Sequence, residues 1–207
     1  MRAEVLLEPR LRRIKKMRHW ESNARALSGC QQDQVLLSLS IEALNLWAHF
    51  CKSYVLFSAW GLKSTNGVVW HSSACKGWPR EDIRRHLVAN FGRGRRDPGN
   101  PLDEPVWRKL DVVQSCCAAI RVSNTASLRR ARGVPATFLR ELHEVRNFAA
   151  HKAEGTRGRL DQIALRRGLS TKSDLSRVML APASPRGGSV TLQWLHEMEG
   201  VMRLMCA

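Results

Sequence analysis

The fold is decided by residues 32–62, which read QDQVLLSLSIEALNLWAHFCKSYVLFSAWGL. Apolar side chains recur there at steps of three and four residues, with no proline and no glycine before Gly61. This spacing predicts one long helix with an apolar face. The recurring apolar residues are Leu36, Leu39, Ala43, Leu46, Phe50, Tyr54, Phe57 and Trp60. Polar residues such as Glu42 and Lys52 interrupt the stretch, so we predict a buried helix and not a membrane span.

The same helical periodicity recurs along the rest of the chain. Further helices are predicted over residues 11–27, 79–91, 104–122, 135–152 and 190–205. Residues 153–169 are charged and compatible with a helix, whereas 171–188 are rich in Ser, Pro and Gly and are predicted to be irregular. The sequence holds no alternating strand pattern and no repeat. We therefore predict an all-α fold, a single-domain bundle of about six to eight helices over residues 1–207, with a basic N-terminal helix in 1–30.

The charge balance narrows the class of partner. Lysine and arginine number 34 against 18 aspartates and glutamates, which gives a net charge of +16 among 207 residues. A surface this positive attracts polyanions, with nucleic acid as the first expectation and an anionic membrane as the second. Because no stretch suits a membrane, no membrane partner is predicted. The hydrophobic fraction of 43% excludes a disordered tail protein.

The six cysteines point to a reducing compartment. No pair has the Cys-x-x-Cys spacing of a zinc or redox motif. We predict reduced, mostly buried thiols in a cytoplasmic protein. The basic N-terminus lacks the apolar core of a signal peptide. No cluster of metal ligands is visible in the sequence, and no cofactor is predicted.

One polar strip stands out, in residues 141–152, which read ELHEVRNFAAHK. At 100° per residue, Asn147 and His151 lie one turn apart on a helix face, and Arg146 lies beside them. Histidine exchanges protons near neutral pH, and arginine binds phosphate through two parallel hydrogen bonds. Asparagine can orient either group. These residue types suit attack of an RNA 2′-hydroxyl on the adjacent phosphate.

The string Arg146-Asn147-Phe148-Ala149-Ala150-His151 resembles the signature of the HEPN superfamily, in which an Arg, a polar residue and a later His end a long helix of an all-α bundle. The string Trp47-Ala48-His49-Phe50-Cys51-Lys52 is similar to a second pattern found on an early helix of some HEPN subgroups.

The resemblance implies an activity and an assembly. Many HEPN proteins are metal-independent endoribonucleases of toxin–antitoxin or anti-phage systems that leave a 2′,3′-cyclic phosphate. Carried over by position, Arg146 and His151 are catalytic and Asn147 supports them. Because this chain has one such strip, the resemblance implies a homodimer with a composite active site. An antitoxin or sensor protein is a further expected partner.

For several residues near this strip the sequence allows two roles, one in the site and one on an ordinary surface. Glu144 could favour the charged form of His151, or form an ordinary surface pair. Lys152 could touch a phosphate, or be solvated at the helix end. Lys52 is predicted to reach the site from the second helix. The Gly- and Pro-rich loop 92–101 could hold the RNA backbone through its arginines, or be a solvated loop. Those arginines are Arg93, Arg95 and Arg96.

Three classes of function remain open from the sequence. The first is the RNA-cleaving enzyme. The second is a non-catalytic, basic HEPN-like module that binds nucleic acid or protein. The third is a DNA-binding repressor, which the sequence favours least because no helix-turn-helix pair is evident. Tryptophans at helical spacing are assigned to the core, Trp47 and Phe50 among them, and not to base stacking.

Overall fold

The computed structural model describes residues 1–94, 97, 100–151, 153–183 and 188–207, without the side chain of Pro101. It confirms the all-α class, with nine α-helices in these ranges where about six to eight were expected. The elements are α1 (Ala3–Ala24), α2 (Gly29–Trp60), β1 (Leu62–Lys63), β2 (Val69–Trp70), α3 (Arg80–Phe91), a 3-10 turn (Pro101–Asp103), α4 (Leu110–Ala119), α5 (Thr125–Gly133), α6 (Thr137–His151), α7 (Glu154–Arg166), α8 (Leu175–Leu180) and α9 (Val190–Cys206).

The helix predicted over 104–122 is shorter in the structure and begins at Leu110. Before Leu110, the backbone N–H groups of Trp107 and Lys109 donate to the carbonyls of Pro105 and Val106 and form turns, and the buried Glu104 carboxylate accepts the indole N–H of Trp107 at 3.0 Å. Lys109 has extended backbone angles (φ −98°, ψ 120°), so α4 starts only after it.

Two short helices lie where the sequence predicted none. One is α5, and the other is α8, which lies inside the segment 171–188 that was expected to be irregular. Leu175, Val178 and Met179 of α8 are buried at helical spacing, so burial of this apolar face stabilises the turn. The surrounding Ser, Pro and Gly residues hid that pattern in the sequence.

A small antiparallel hairpin follows α2. Leu62 pairs with Trp70 and Lys63 with Val69, across a turn at residues 64–67. The hydroxyl of Ser64 accepts the backbone N–H of Val68 at 3.1 Å and closes this turn. With two residues in each strand, the hairpin leaves the fold class unchanged.

The chain forms two compact units, and α1, α2 and α9 contribute residues to both. The first unit comprises Met1–Arg10, Leu46–Pro135 and Val201–Ala207. Its core contains a chain of aromatic rings with centroids about 6 Å apart, which runs from Trp47 through Phe50 and Tyr54 to Trp70. Trp47 and Phe50 are fully buried, as predicted. Trp60 differs from the prediction: it is the last residue of α2 and is 49% exposed.

The second unit comprises Leu11–Asn45 and Ala136–Gly200. Its core is built from the apolar faces of several helices. Fully or almost fully buried members are Ile14, Met17, Leu36, Leu39, Phe138, Leu142, Val145, Ile163, Trp194, Leu195 and Met198. Within the portion of the chain that the structure describes, no helix combines the length and the apolar character needed to cross a bilayer.

The solvent exposure of the cysteines can be tested by chemical labelling. All six are free and five are buried, with Cys30 exposed. Burial raises the pKa of Cys116 and of Cys117 to about 12, which keeps both as unreactive thiols. We therefore expect a thiol reagent to label Cys30 alone in the native protein, and all six cysteines after denaturation, as counted by mass spectrometry. A Cys30→Ser variant should resist native labelling, and rapid labelling of that variant would contradict the burial of the other five.

Candidate functional site

Helix α6 has one buried and one exposed face. Phe138, Leu142 and Val145 are buried at three- and four-residue spacing. Phe148 continues this spacing but is only half-buried, and the guanidinium of Arg157 lies over its ring at 5.4 Å. The opposite face of α6 is therefore left for polar side chains.

Helices α6 and α7 form an antiparallel hairpin. Arg159 contacts Glu144 at 3.2 Å, and Arg166 contacts Glu141 at 3.1 Å. As α7 proceeds, its partners on α6 move back toward the start of that helix, which is the signature of antiparallel packing. The turn between the two helices is short, because α6 ends at His151 and α7 begins at Glu154.

Glu141 anchors this hairpin and was not predicted. Its side chain is 3% exposed, yet it lies among the apolar residues of α6. The carboxylate accepts the indole N–H of Trp194 at 2.8 Å and is paired with Arg166 and Arg167, each at 3.1 Å. The only signal in the sequence was a lone acidic residue within an apolar stripe.

The surroundings of Glu141 set its protonation. Burial by itself raises the pKa of a carboxyl group. The hydrogen bond from Trp194, and the hydrogen bonds and positive charges of Arg167 and Arg166, outweigh it and hold the pKa of Glu141 below its usual value. The ionised carboxylate therefore joins α6 to α7 and α9.

The exposed face of α6 carries the three residues predicted to be catalytic. Arg146 is exposed, and its Nη1 donates to Oδ1 of Asn147 at 3.3 Å. The Nδ2 atom of Asn147 lies 3.1 Å from Nε2 of His143. Because an amide nitrogen only donates, Nε2 of His143 accepts, which leaves the proton of a neutral ring on Nδ1. Asn147 is thus held between Arg146 and His143.

His151 is the last residue of α6 and is exposed. Among the residues whose placement is known, its imidazole has no hydrogen-bond or ion-pair partner. The small side chain of Ala150 is also exposed beside it. Arg146 and His151 are five residues apart, about 7.5 Å along the helix axis, a gap that the long arginine side chain can span. We call Arg146, Asn147 and His151 the α6 strip.

Glu144 is held away from His151. Its carboxylate is paired with Arg159, and it lies seven residues, about 10 Å along the axis, from His151. The geometry therefore favours a role for Glu144 in a surface ion pair over an effect of Glu144 on the protonation of His151. Glu141 and Glu144 are both paired with arginines of α7, and among the residues that the structure describes Arg146 forms no ion pair, so its positive charge on the strip is uncompensated there.

The other predicted site residues belong to the first unit or fall outside the described ranges. The ammonium group of Lys52 is paired with Glu104 at 2.5 Å, and Arg84 shares the same carboxylate, so the charge of Lys52 is engaged within the first unit. The Arg93 side chain is exposed, and its backbone N–H donates to the carbonyl of Asp103. Arg95, Arg96 and Lys152 lie outside the described residues.

Comparison with known proteins provides no further evidence about this site. No family model, no curated protein and no solved structure matches the chain. No group of three or more histidine, cysteine, aspartate or glutamate side chains that could hold a metal occurs in the described ranges. The α6 strip presents a guanidinium, an amide and an accessible imidazole at one end of the helix.

Proposed function

We propose that the chain is a metal-independent endoribonuclease of the HEPN type. The observation that carries this proposal is the exposure of His151 one turn from Asn147, with Arg146 beside them and uncompensated in charge. The net charge of +16 supports a polyanionic substrate. The resemblance of the string 146–151 to the HEPN signature supplies the reaction class.

The proposed reaction forms one bond and breaks another. The imidazole of His151 takes the proton of an RNA 2′-hydroxyl as that oxygen attacks the adjacent phosphorus. The bond between phosphorus and the 5′-oxygen of the next nucleotide then breaks, and that oxygen receives a proton. Arg146 donates to the phosphoryl oxygens as negative charge builds on them. The products are a 2′,3′-cyclic phosphate and a 5′-hydroxyl.

The reaction needs both a proton acceptor and a proton donor, and a homodimer would supply them. In that arrangement one His151 acts as the base, and His151 of a second copy acts as the acid. Asn147 orients Arg146 through the 3.3 Å hydrogen bond between them. We place the enzyme in the cytoplasm, as the toxin or effector of a prokaryotic toxin–antitoxin or anti-phage system, where an antitoxin or sensor protein controls it.

The first test of this proposal uses metal removal. The purified protein is incubated with end-labelled tRNA or mRNA, with and without EDTA. We expect the same cleavage in both samples, because the strip supplies the proton transfers and the charge stabilisation itself. The product ends should carry a 2′,3′-cyclic phosphate, detected by their resistance to phosphatase until acid opens the ring.

Two results would contradict this proposal. Complete inhibition by EDTA would show that the chain's residues do not act alone. Products with a 5′-phosphate and a free 3′-hydroxyl would show that water, and not the 2′-hydroxyl, attacks the phosphorus.

A further inference from the structure

A cavity of the first unit lies where α2 ends. It has a volume of about 710 Å³, which is within the range of pockets that bind small ligands. Its lining includes two tryptophans, Trp60 and Trp78, which are 49% and 39% exposed. The two exposed indoles line the same cavity, and grouped apolar surface of this kind marks interaction sites on many proteins. We call this cavity the Trp60–Trp78 pocket.

Both indoles are fixed in place. The Nε1–H group of Trp60 donates to the backbone carbonyl of Trp78 at 3.0 Å. The ring of Trp78 makes an edge-to-face contact with His86, with centroids 5.6 Å apart and an interplanar angle of 82°. The polar edge of Trp60 is therefore satisfied by the protein, and the rings keep apolar surface for a ligand at little cost in conformational entropy.

The floor of the pocket is also rigid. The hydroxyl of Ser72 donates to the carbonyl of Ile120 and accepts the backbone N–H of Cys75. The backbone N–H of Ser73 donates to the carbonyl of Arg121, at 3.2 Å. Arg121 has a positive φ of 50°, a backbone conformation that residues other than glycine rarely adopt. The segment after β2 is thus held against the end of α4.

The charges around the pocket favour an anionic ligand. Its lining carries the exposed His71 and Lys76 and no acidic residue among those described. The exposed Arg121 adjoins Ser73. Within the described ranges, neither Lys76 nor Arg121 forms an ion pair. An aromatic surface bordered by uncompensated cations matches a planar base that carries a phosphate, and it matches a neutral or basic peptide poorly.

We infer that the Trp60–Trp78 pocket binds an unpaired nucleobase of single-stranded RNA, with the base stacked on indole and its phosphate contacted by Lys76. The inference goes beyond the proposed function, because it concerns binding and holds whether or not the α6 strip cleaves RNA. Stacking on aromatic rings accepts any base, so the pocket should prefer unpaired strands over duplexes and show little sequence preference.

The test measures binding in full-length protein that carries His151→Ala, so that cleavage does not interfere. Fluorescence anisotropy of a labelled single-stranded RNA oligomer gives the Kd. We expect Trp60→Ala, Trp78→Ala and Lys76→Glu each to weaken binding by at least about five-fold. Trp60→Phe should retain most of the affinity. Trp20→Ala is the matched control, because Trp20 is half-buried in the second unit with Arg13 over its ring.

A second measurement does not depend on the folding of any pocket variant. RNA containing 5-bromouridine is irradiated with the His151→Ala protein, and the cross-linked peptides are identified by mass spectrometry. We expect cross-links at Trp60 or Trp78. Circular dichroism melting of each variant identifies any loss of binding that reflects unfolding.

Four outcomes would overturn the inference. These are unchanged binding in all three pocket variants, cross-links confined to other residues, a duplex of the same length bound as tightly, or binding of free mononucleotides with no gain for the oligomer. Pocket variants that bind weakly while the wild-type protein cleaves nothing would support the pocket and count against the proposed enzyme, so the two failures are distinguishable.

Discussion

Replacing His151 by alanine is expected to lower the rate of RNA cleavage by about 100-fold or more while leaving the melting temperature unchanged. The large effect on rate follows because a positioned acid or base contributes about 10²- to 10⁴-fold. The absence of an effect on stability follows because the imidazole is exposed at the end of α6 and has no partner in the described part of the chain. Initial rates on end-labelled RNA, together with circular dichroism melting, measure both quantities.

The matched control is His196→Ala. His196 is also an exposed histidine on a helix of the second unit, but it lies on α9, away from the strip in sequence. We expect this variant to cleave at the wild-type rate. Equal RNA loss in the His151→Ala and wild-type samples would show that a contaminating nuclease or another site is responsible.

Arg146 allows the phosphate-binding step to be separated from proton transfer. Loss of a group that stabilises developing charge costs about 10²- to 10³-fold in rate, so Arg146→Ala should be nearly inactive. Arg146→Lys keeps the charge but loses the planar pair of donors, and its rate should lie between those of the alanine variant and the wild type. A lysine variant as slow as the alanine variant would indicate that geometry, and not charge, limits the step.

The composite site can be tested by mixing. If both copies of His151 are needed, an equilibrated equimolar mixture of wild type and His151→Ala should have about a quarter of the activity of the same total amount of pure wild type, because only dimers of two wild-type chains cleave. If each chain acts alone, half the activity should remain. The two results are easily separated in a rate assay.

The residues that the sequence could predict are those whose position depends on one helix alone. The periodicity of α6 is enough to place Arg146 and His151 on an exposed face, because the apolar stripe fixes which side of a helix is buried. The environment of Glu141 could not be predicted in this way. Its partners lie on α7 and α9, and no local pattern indicates that Trp194 and two arginines converge on one carboxylate.

The same limit explains the errors of the fold prediction. Periodicity included Trp60 in the apolar stripe of α2, but it cannot indicate where a helix leaves the core. At that point the carbonyl of Trp78 binds the indole N–H, and the ring remains half-exposed. Likewise, the extended backbone of Lys109 delays the start of α4 to Leu110, although the sequence before it has a helical pattern.

Glu141 gives the largest expected effect on stability. Glu141→Ala should lower the free energy of unfolding by about 3–5 kcal/mol, because it leaves the Arg167 guanidinium, which is 14% exposed, and the buried indole N–H of Trp194 without their acceptor. Glu144→Ala is the matched control, since Glu144 lies on the same helix and also pairs with an arginine of α7. That arginine is exposed, so the control should lose at most about 1 kcal/mol. Urea unfolding followed by circular dichroism measures both.

The pH dependence of this effect has a definite sign. The pKa of Glu141 is lower in the folded protein than in the unfolded chain, so the folded state binds fewer protons there. Its contribution to stability is therefore complete above the ordinary glutamate pKa of about 4.3, and is lost as the pH falls through the lower folded value. The difference in unfolding free energy between the wild type and Glu141→Gln should be largest near neutral pH and should shrink in acid. A difference that stays constant down to the acid limit would show that the pKa of Glu141 is the same in the folded and unfolded protein, and that Trp194, Arg166 and Arg167 do not stabilise its charge.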